Sequence, residues 1–328
     1  MGSQNTQVTA FRQTLWRIAA YFVATALLVW ACHATAPSAS GQSDPSIFVP
    51  GIIPTSMASS AAPAFTPDGN TVYFFQSSGG PNSSIVFSQQ NGGQWSAPKT
   101  PVFSGQYRDL EPAFAPNGKY LIFASNRPTT SGGSVLDGHY NGQVFPGGGG
   151  NLWRVERTKT GWRKPEMLPA TINSNTSVFS PAVTADGSLY FMRADNGGVF
   201  HIYRAQMKHG KFEAPVLASF SNPSHGDYDP AVAPDESYLI FSSGRAPAPP
   251  KTTDLFIVFR SANSWGEPID LRSALSDNVH GIEARLSPDG KTLYFSNSRN
   301  ASGVDVPNGR SIWKVDLTAL LKAHGVGR

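Results

Sequence analysis

The chain has 328 residues, with Gly 32, Pro 26 and only 15% charged residues. Glycine and proline together exceed average usage while charge falls below it, which excludes helical bundles and coiled coils; the 40% apolar share excludes a disordered chain. The formal charge of +4 includes Arg12 and Arg17 of an N-terminal leader, and no block of Lys or Arg follows, so nucleic acid is not an expected partner.

The chain opens on a run from Ile18 to Ala31, IAAYFVATALLVWA, behind Arg12 and Arg17. It is short for a spanning helix and well sized for a signal-peptide core. Residues 1–34 therefore read as a signal peptide, with small residues Cys32 and Ala34 at the critical positions for cleavage after Ala34. A lipoprotein signal ending before Cys32 is the alternative, and a lipid on that cysteine would be the sole membrane attachment. The expected location is the periplasm, the cell surface or the medium. Cys32 is the sole cysteine, so the exported part holds no disulfide and its stability rests on burial. Residues 35–45 read as a flexible linker.

One pattern then recurs five times: APAFTPDGNTVYFFQSS from Ala62, EPAFAPNGKYLIFASNR from Glu111, SPAVTADGSLYFMR from Ser180, DPAVAPDESYLIFSSGR from Asp229 and EARLSPDGKTLYFSNSR from Glu283. The starts lie 49, 69, 49 and 54 residues apart, a period that means a propeller or another array. Each copy reads as strand, tight turn, strand, with Asp-Gly or Asn-Gly at most of the turns, where backbone of positive φ is tolerated. A second hairpin follows, its first strand SIVFSQQ, NLWRVER, HIYRAQM, DLFIVFR or SIWKVDL; in four copies its second strand carries an aromatic three residues before proline, as at Trp95 and Pro98.

Four strands per repeat make a propeller blade. The fold class is therefore all-β: a β-propeller of five four-stranded blades over residues 46–318, with six blades as the alternative and residues 319–328 as a tail. The fifth copy lacks an outermost strand, and Ile47-Phe48-Val49-Pro50 is expected to supply it and close the ring.

The PAFxPDGxxLxFxSxR hairpins, the D-I-W/Y strands and the W-x-x-P turns resemble the TolB-like, PD-type relative of the WD propeller repeat. The resemblance covers Ile47 to Leu317 and concerns the repeat domain, not TolB as a whole. It implies a propeller used as an interaction platform, as a domain beside a peptidase, or in an exported protein, and it fixes no activity.

In such a fold the residue before Pro-Ala and those after the recurrent Phe converge on one rim. The candidate acids there are Glu111, Asp229 and Glu283, with Ala62 and Ser180 in the other blades. Arg127, Arg245 and Arg299 follow the second strands and are expected either to pair with these acids across neighbouring blades or to bind a ligand. Arg285 stands where the other blades have Ala64, Ala113, Ala182 and Ala231, and serves either as a plug of the channel or as a hold for an anionic group. His225 and His280 precede first strands and, with Asp229 and Glu283, are the candidate ligands of a divalent metal; no other cofactor is expected. The excess of the second interval falls in a Gly-rich insertion over 128–150, whose His139 and Tyr140 overhang the same mouth.

No G-x-S-x-G, H-E-x-x-H, C-x-x-C or phosphate-binding Gly-Lys motif occurs. The first functional reading is a binding or interaction module whose protein or glycan partner meets the channel mouth. The second is a carbohydrate-active enzyme, a glycoside hydrolase or lyase, with Glu111, Asp229 and Glu283 as its catalytic carboxylates.

Overall fold

Each repeated hairpin forms the two inner strands of a blade. The computed structural model describes residues 44–48, 59–77, 83–249, 252–262, 264–297 and 310–327; the leader 1–34 with Cys32, most of the linker, and Arg299 lie outside them.

Blade one is built from Ser59–Phe65, Thr71–Ser77, Ser83–Asn91 and Gln94–Trp95, in that order outward. Blade two runs Asp109–Phe114, Tyr120–Ser125, Asn151–Glu156 and Glu166–Met167. Blade three runs Val178–Val183, Leu189–Ala194, Phe200–Ala205 and Val216–Leu217. In blade four, Asp227–Val232, Tyr238–Ser243 and Asp254–Ser261 are followed by Ser264–Trp265 and Ile269–Asp270, which both pair with the third strand. Blade five contains Ile282–Leu286, Thr292–Asn297 and Ser311–Asp316, and its outermost strand is Ser46–Ile47 from the other end of the chain. The expected closure is present: Ser46 and Ile47 pair antiparallel with Lys314 and Trp313, and the Phe48 N–H donates to the Ile312 carbonyl at 2.8 Å.

In blades two, three and four the outermost strand lies just past the aromatic-x-x-Pro segment; the aromatic itself turns inward. Trp162 packs on Tyr73 and Phe103, Trp265 on Tyr190 and Phe220, and Trp95 on Phe65 and Phe48. Each ring thus bridges adjacent blades, where large rigid side chains bury the most area per residue ordered. Phe74, Phe123, Phe191, Phe241 and Phe295, one per second strand, are fully buried. The chain continues the fold beyond Leu317, since the helix Thr318–Ala323 buries Leu320 and Leu321 against the core of blades four and five.

The turns explain themselves from their residues. Asp68, Asn117, Asp186, Asp235 and Asp289 each accept the N–H two residues on, and glycine supplies the left-handed position at four of the five turns. The fourth turn has Glu236 there, at φ 57°. Its carboxylate is held by Arg204 and Arg260 at 2.7 Å each and by the Tyr190 hydroxyl at 2.7 Å, which offsets the backbone strain.

Candidate functional site: a sealed carboxylate ring and the mouth above it

The first strand of every blade has a bulge at the same place, and the bulged residue is left-handed in all five: Ala62, Glu111, Ser180, Asp229 and Glu283, with φ between 51° and 58°. Four of them precede proline, which disfavours the right-handed helical region for the residue before it. Non-glycine residues pay about 1–3 kcal/mol each for such conformations, so the surrounding bonds must hold them.

Most of those bonds run between blades. Glu111 Oε2 accepts the Ser180 N–H at 2.7 Å, and Asp229 accepts the Ser180 hydroxyl at 2.8 Å and the Glu283 N–H at 3.2 Å. Arg285 donates to Ser180 Oγ at 3.2 Å and to its neighbour's carbonyl, Ala284 O, at 2.7 Å. Arg310 donates to Glu283 Oε1 at 2.6 Å. The ring is closed to water: Glu111 is 7% exposed, and Asp229, Glu283 and Arg285 are 5% exposed. Below it, the axial channel is a cavity of about 150 Å³ lined by the four small residues Ala64, Ala113, Ala182 and Ala231, with Arg285 beside them.

Burial pushes the Glu111 carboxyl up to about 8; the Asp229 charge pushes the same way, and Arg285 opposes it. Burial also raises Glu283, against the pull of Arg310. A carboxyl raised in this way is a proton carrier at neutral pH, and it is also what a desolvated acid among other acids must become.

Arg127 and Arg245 do not pair with the ring. Arg127 bonds Asp109 at 3.0 Å and Arg245 bonds Asp227 at 3.0 Å, each within its own blade and two residues before the ring acid. This corrects the expectation of cross-blade pairing: the bulge turns the ring acids to the axis and leaves the Asp two positions earlier facing the arginine. The aspartates also take serine hydroxyls, Ser104 at 2.8 Å and Ser221 at 2.9 Å, and those hydroxyls accept the Ile85 and Ile202 N–H groups of the preceding blade. The sequence carries this pairing as an aspartate eighteen residues before Arg127 and before Arg245. We expect Ser221→Ala to cost about 1–3 kcal/mol, the loss of a hydroxyl that satisfies two buried partners; urea unfolding measures it, and an unchanged midpoint would contradict the role.

His225 and His280 are partly exposed, and their neighbouring acids are turned into the ring. Among the described residues no group of three or more His, Cys, Asp or Glu side chains is placed to hold a metal ion. The insertion folds as a hairpin, Gly138–Tyr140 with Gln143–Phe145. Tyr140 stacks on Phe145 and packs on Phe179 and Phe200 of blade three, while exposed His139 and half-buried Tyr140 line a cleft of about 430 Å³ with Asn175 and Asp195.

No protein-family model matches the chain, and no curated protein matches its sequence. Solved structures do match in fold. A thermostable family-43 glycoside hydrolase is 14% identical, with 80% of this chain and 91% of that one covered and a TM-score of 0.51. A protein of unknown function from Dyadobacter fermentans is 13% identical over 84% and 86% of the two chains, with a TM-score of 0.50. TolB from Acinetobacter baumannii is 15% identical, with a TM-score of 0.45; the match covers 78% of this chain and 54% of that longer one. Likeness at these identities establishes the β-propeller and nothing finer.

Proposed function

We propose that the protein is an exported binding module that presents the mouth face of its propeller to a ligand or a protein partner and performs no chemistry of its own. The export reading rests on the Ile18–Ala31 segment behind Arg12 and Arg17. The binding reading rests on one observation: the ring carboxylates that a catalyst would need are buried and bonded to backbone N–H groups, a hydroxyl and Arg310. A glycoside bond cannot approach groups so enclosed without opening the ring. Above it, the inserted hairpin and the clefts of the same face leave polar and aromatic groups exposed, the usual make-up of a ligand surface.

The second reading, a carbohydrate-active enzyme, draws on Glu111, whose raised carboxyl would carry a proton at neutral pH as a general acid does. A glycan panel separates the two. The protein is expected to retain glycans or a protein partner on the mouth face with no new reducing ends or unsaturated products. Turnover that Glu111→Gln or Asp229→Asn abolishes in a folded protein would overturn the binding reading.

A further inference from the structure

Blades two and four carry the same Asp–Arg tie, and the difference between the two copies is informative. In blade four the guanidinium of Arg245 is satisfied: Nε donates to Ser243 Oγ at 2.9 Å, and Nη2 to Asp227 and to the Phe220 carbonyl. The third residue of the adjoining strand is Phe256, which has no polar hydrogen. In blade two Nη2 of Arg127 makes the matching bonds to Asp109 and the Phe103 carbonyl, but Nε is buried without an acceptor. The residue matching Phe256 is Trp153, whose indole Nε1 is also buried without an acceptor. Two buried donors without partners cost about 1–3 kcal/mol each, and the blade-four copy shows that the fold does not require that cost.

Arg127 and Trp153 line a cleft of about 680 Å³ on the mouth face, formed by the loop before the first strand of blade two, the start of the insertion and the segment around Lys164, with the two donors just beneath its wall. Arg127 is 8% exposed and lies 5.3 Å from the Tyr107 ring centre and 5.5 Å from that of Trp153. Exposed Lys164 and Met167 complete one side, and Val102, 88% exposed, lies on the other. Planar guanidinium, an indole N–H and a lysine suit one carboxylate. The aromatic faces suit the C–H face of a ring, and Thr129, Thr130 and Ser131 supply hydroxyls for its polar edge. Glu166 on the same wall disfavours a densely charged polyanion.

We propose that this cleft binds an acidic sugar, a pyranose ring carrying one carboxylate, with the carboxylate on Arg127 and Trp153 and the ring against Tyr107. The inference rests on the ligand-binding reading above and names its ligand class. The test is calorimetric titration of the processed protein with glucuronate- and galacturonate-containing disaccharides, their neutral counterparts, and benzoate. Acidic disaccharides are expected to bind at least tenfold more tightly than either neutral sugars or benzoate. Trp153→Phe, which copies blade four, and Tyr107→Ala are each expected to weaken binding about fivefold or more, with the melting temperature unchanged in Tyr107→Ala and raised in Trp153→Phe, which removes a buried donor that has no acceptor. No binding of acidic disaccharides, equal binding of neutral sugars or benzoate, or binding indifferent to both variants would overturn the proposal. Of these, binding indifferent to both variants would leave the binding-module reading standing, whereas cleavage of the disaccharide would remove that reading itself.

Discussion

Arg285→Met is expected to destabilise the protein by about 3–5 kcal/mol, the range for removing one partner from a buried charged network. Methionine keeps most of the volume, so the loss is not a cavity effect. What disappears is the positive charge that opposes the raising of Glu111 and Glu283, and the bond from the guanidinium to Ser180 Oγ, a hydroxyl that itself donates to Asp229. The penalty grows with pH, because the uncompensated acids can escape it only by taking up protons. Equilibrium unfolding in urea at pH 6 and pH 8 measures both the loss and its growth. If Arg285 were instead a site waiting for an anionic ligand, its removal would leave stability unchanged or raise it, as removal of an unpaired buried charge does.

The arrangement that makes this residue necessary arises from the repeat. Five first strands crowd one axis, alanine at the matching position permits the crowding in four of them, and a bulge turns one side chain per blade inward. With Ala62 and Ser180 at two of the five inward positions the ring carries three acids instead of five, and Arg285 enters from the one blade without the alanine. Binding across the blades follows: the acid of blade two holds the backbone of blade three, and the acid of blade four holds blade three and blade five.

The propeller was legible because repetition is a long-range signal. Five Pro-Asp-Gly-like hairpins, the period, and an unpaired outer edge in the last copy lead to five blades and to closure by Ile47, and the structure has both. Pairing was less legible. Charge type and spacing place Arg127 and Glu111 on one rim, but the bulge at Glu111 alters the side-chain alternation of the strand, so Asp109 and not Glu111 meets the guanidinium. Arg310 and Glu236 were missed for another reason: Arg310 falls outside the repeated pattern and reaches Glu283 through tertiary folding alone, and Glu236 occupies a turn position where the other copies have glycine. Arg285 was visible as an exception to four alanines, and it reaches Ser180 of blade three.

The ring's enclosure has a direct consequence for pH dependence. Glu111 titrates near 4.5 when unperturbed and at about 8 in the folded protein, so over that interval the folded state binds a proton that the unfolded state releases. The stability it contributes is fully present below pH 4.5 and is lost as pH rises through about 8, at up to about 1.4 kcal/mol per pH unit. Glutamine in its place keeps an oxygen to accept the Ser180 N–H and cannot ionise. The decisive measurement is the unfolding free energy of the wild type and of Glu111→Gln from pH 5 to pH 9. A sealed ring predicts near-equal stability at pH 5 and a glutamine variant more stable by about 3–5 kcal/mol at pH 9. Two curves that run parallel across the range would show Glu111 titrating in open solvent, and would contradict the reading of the ring as a buried tie.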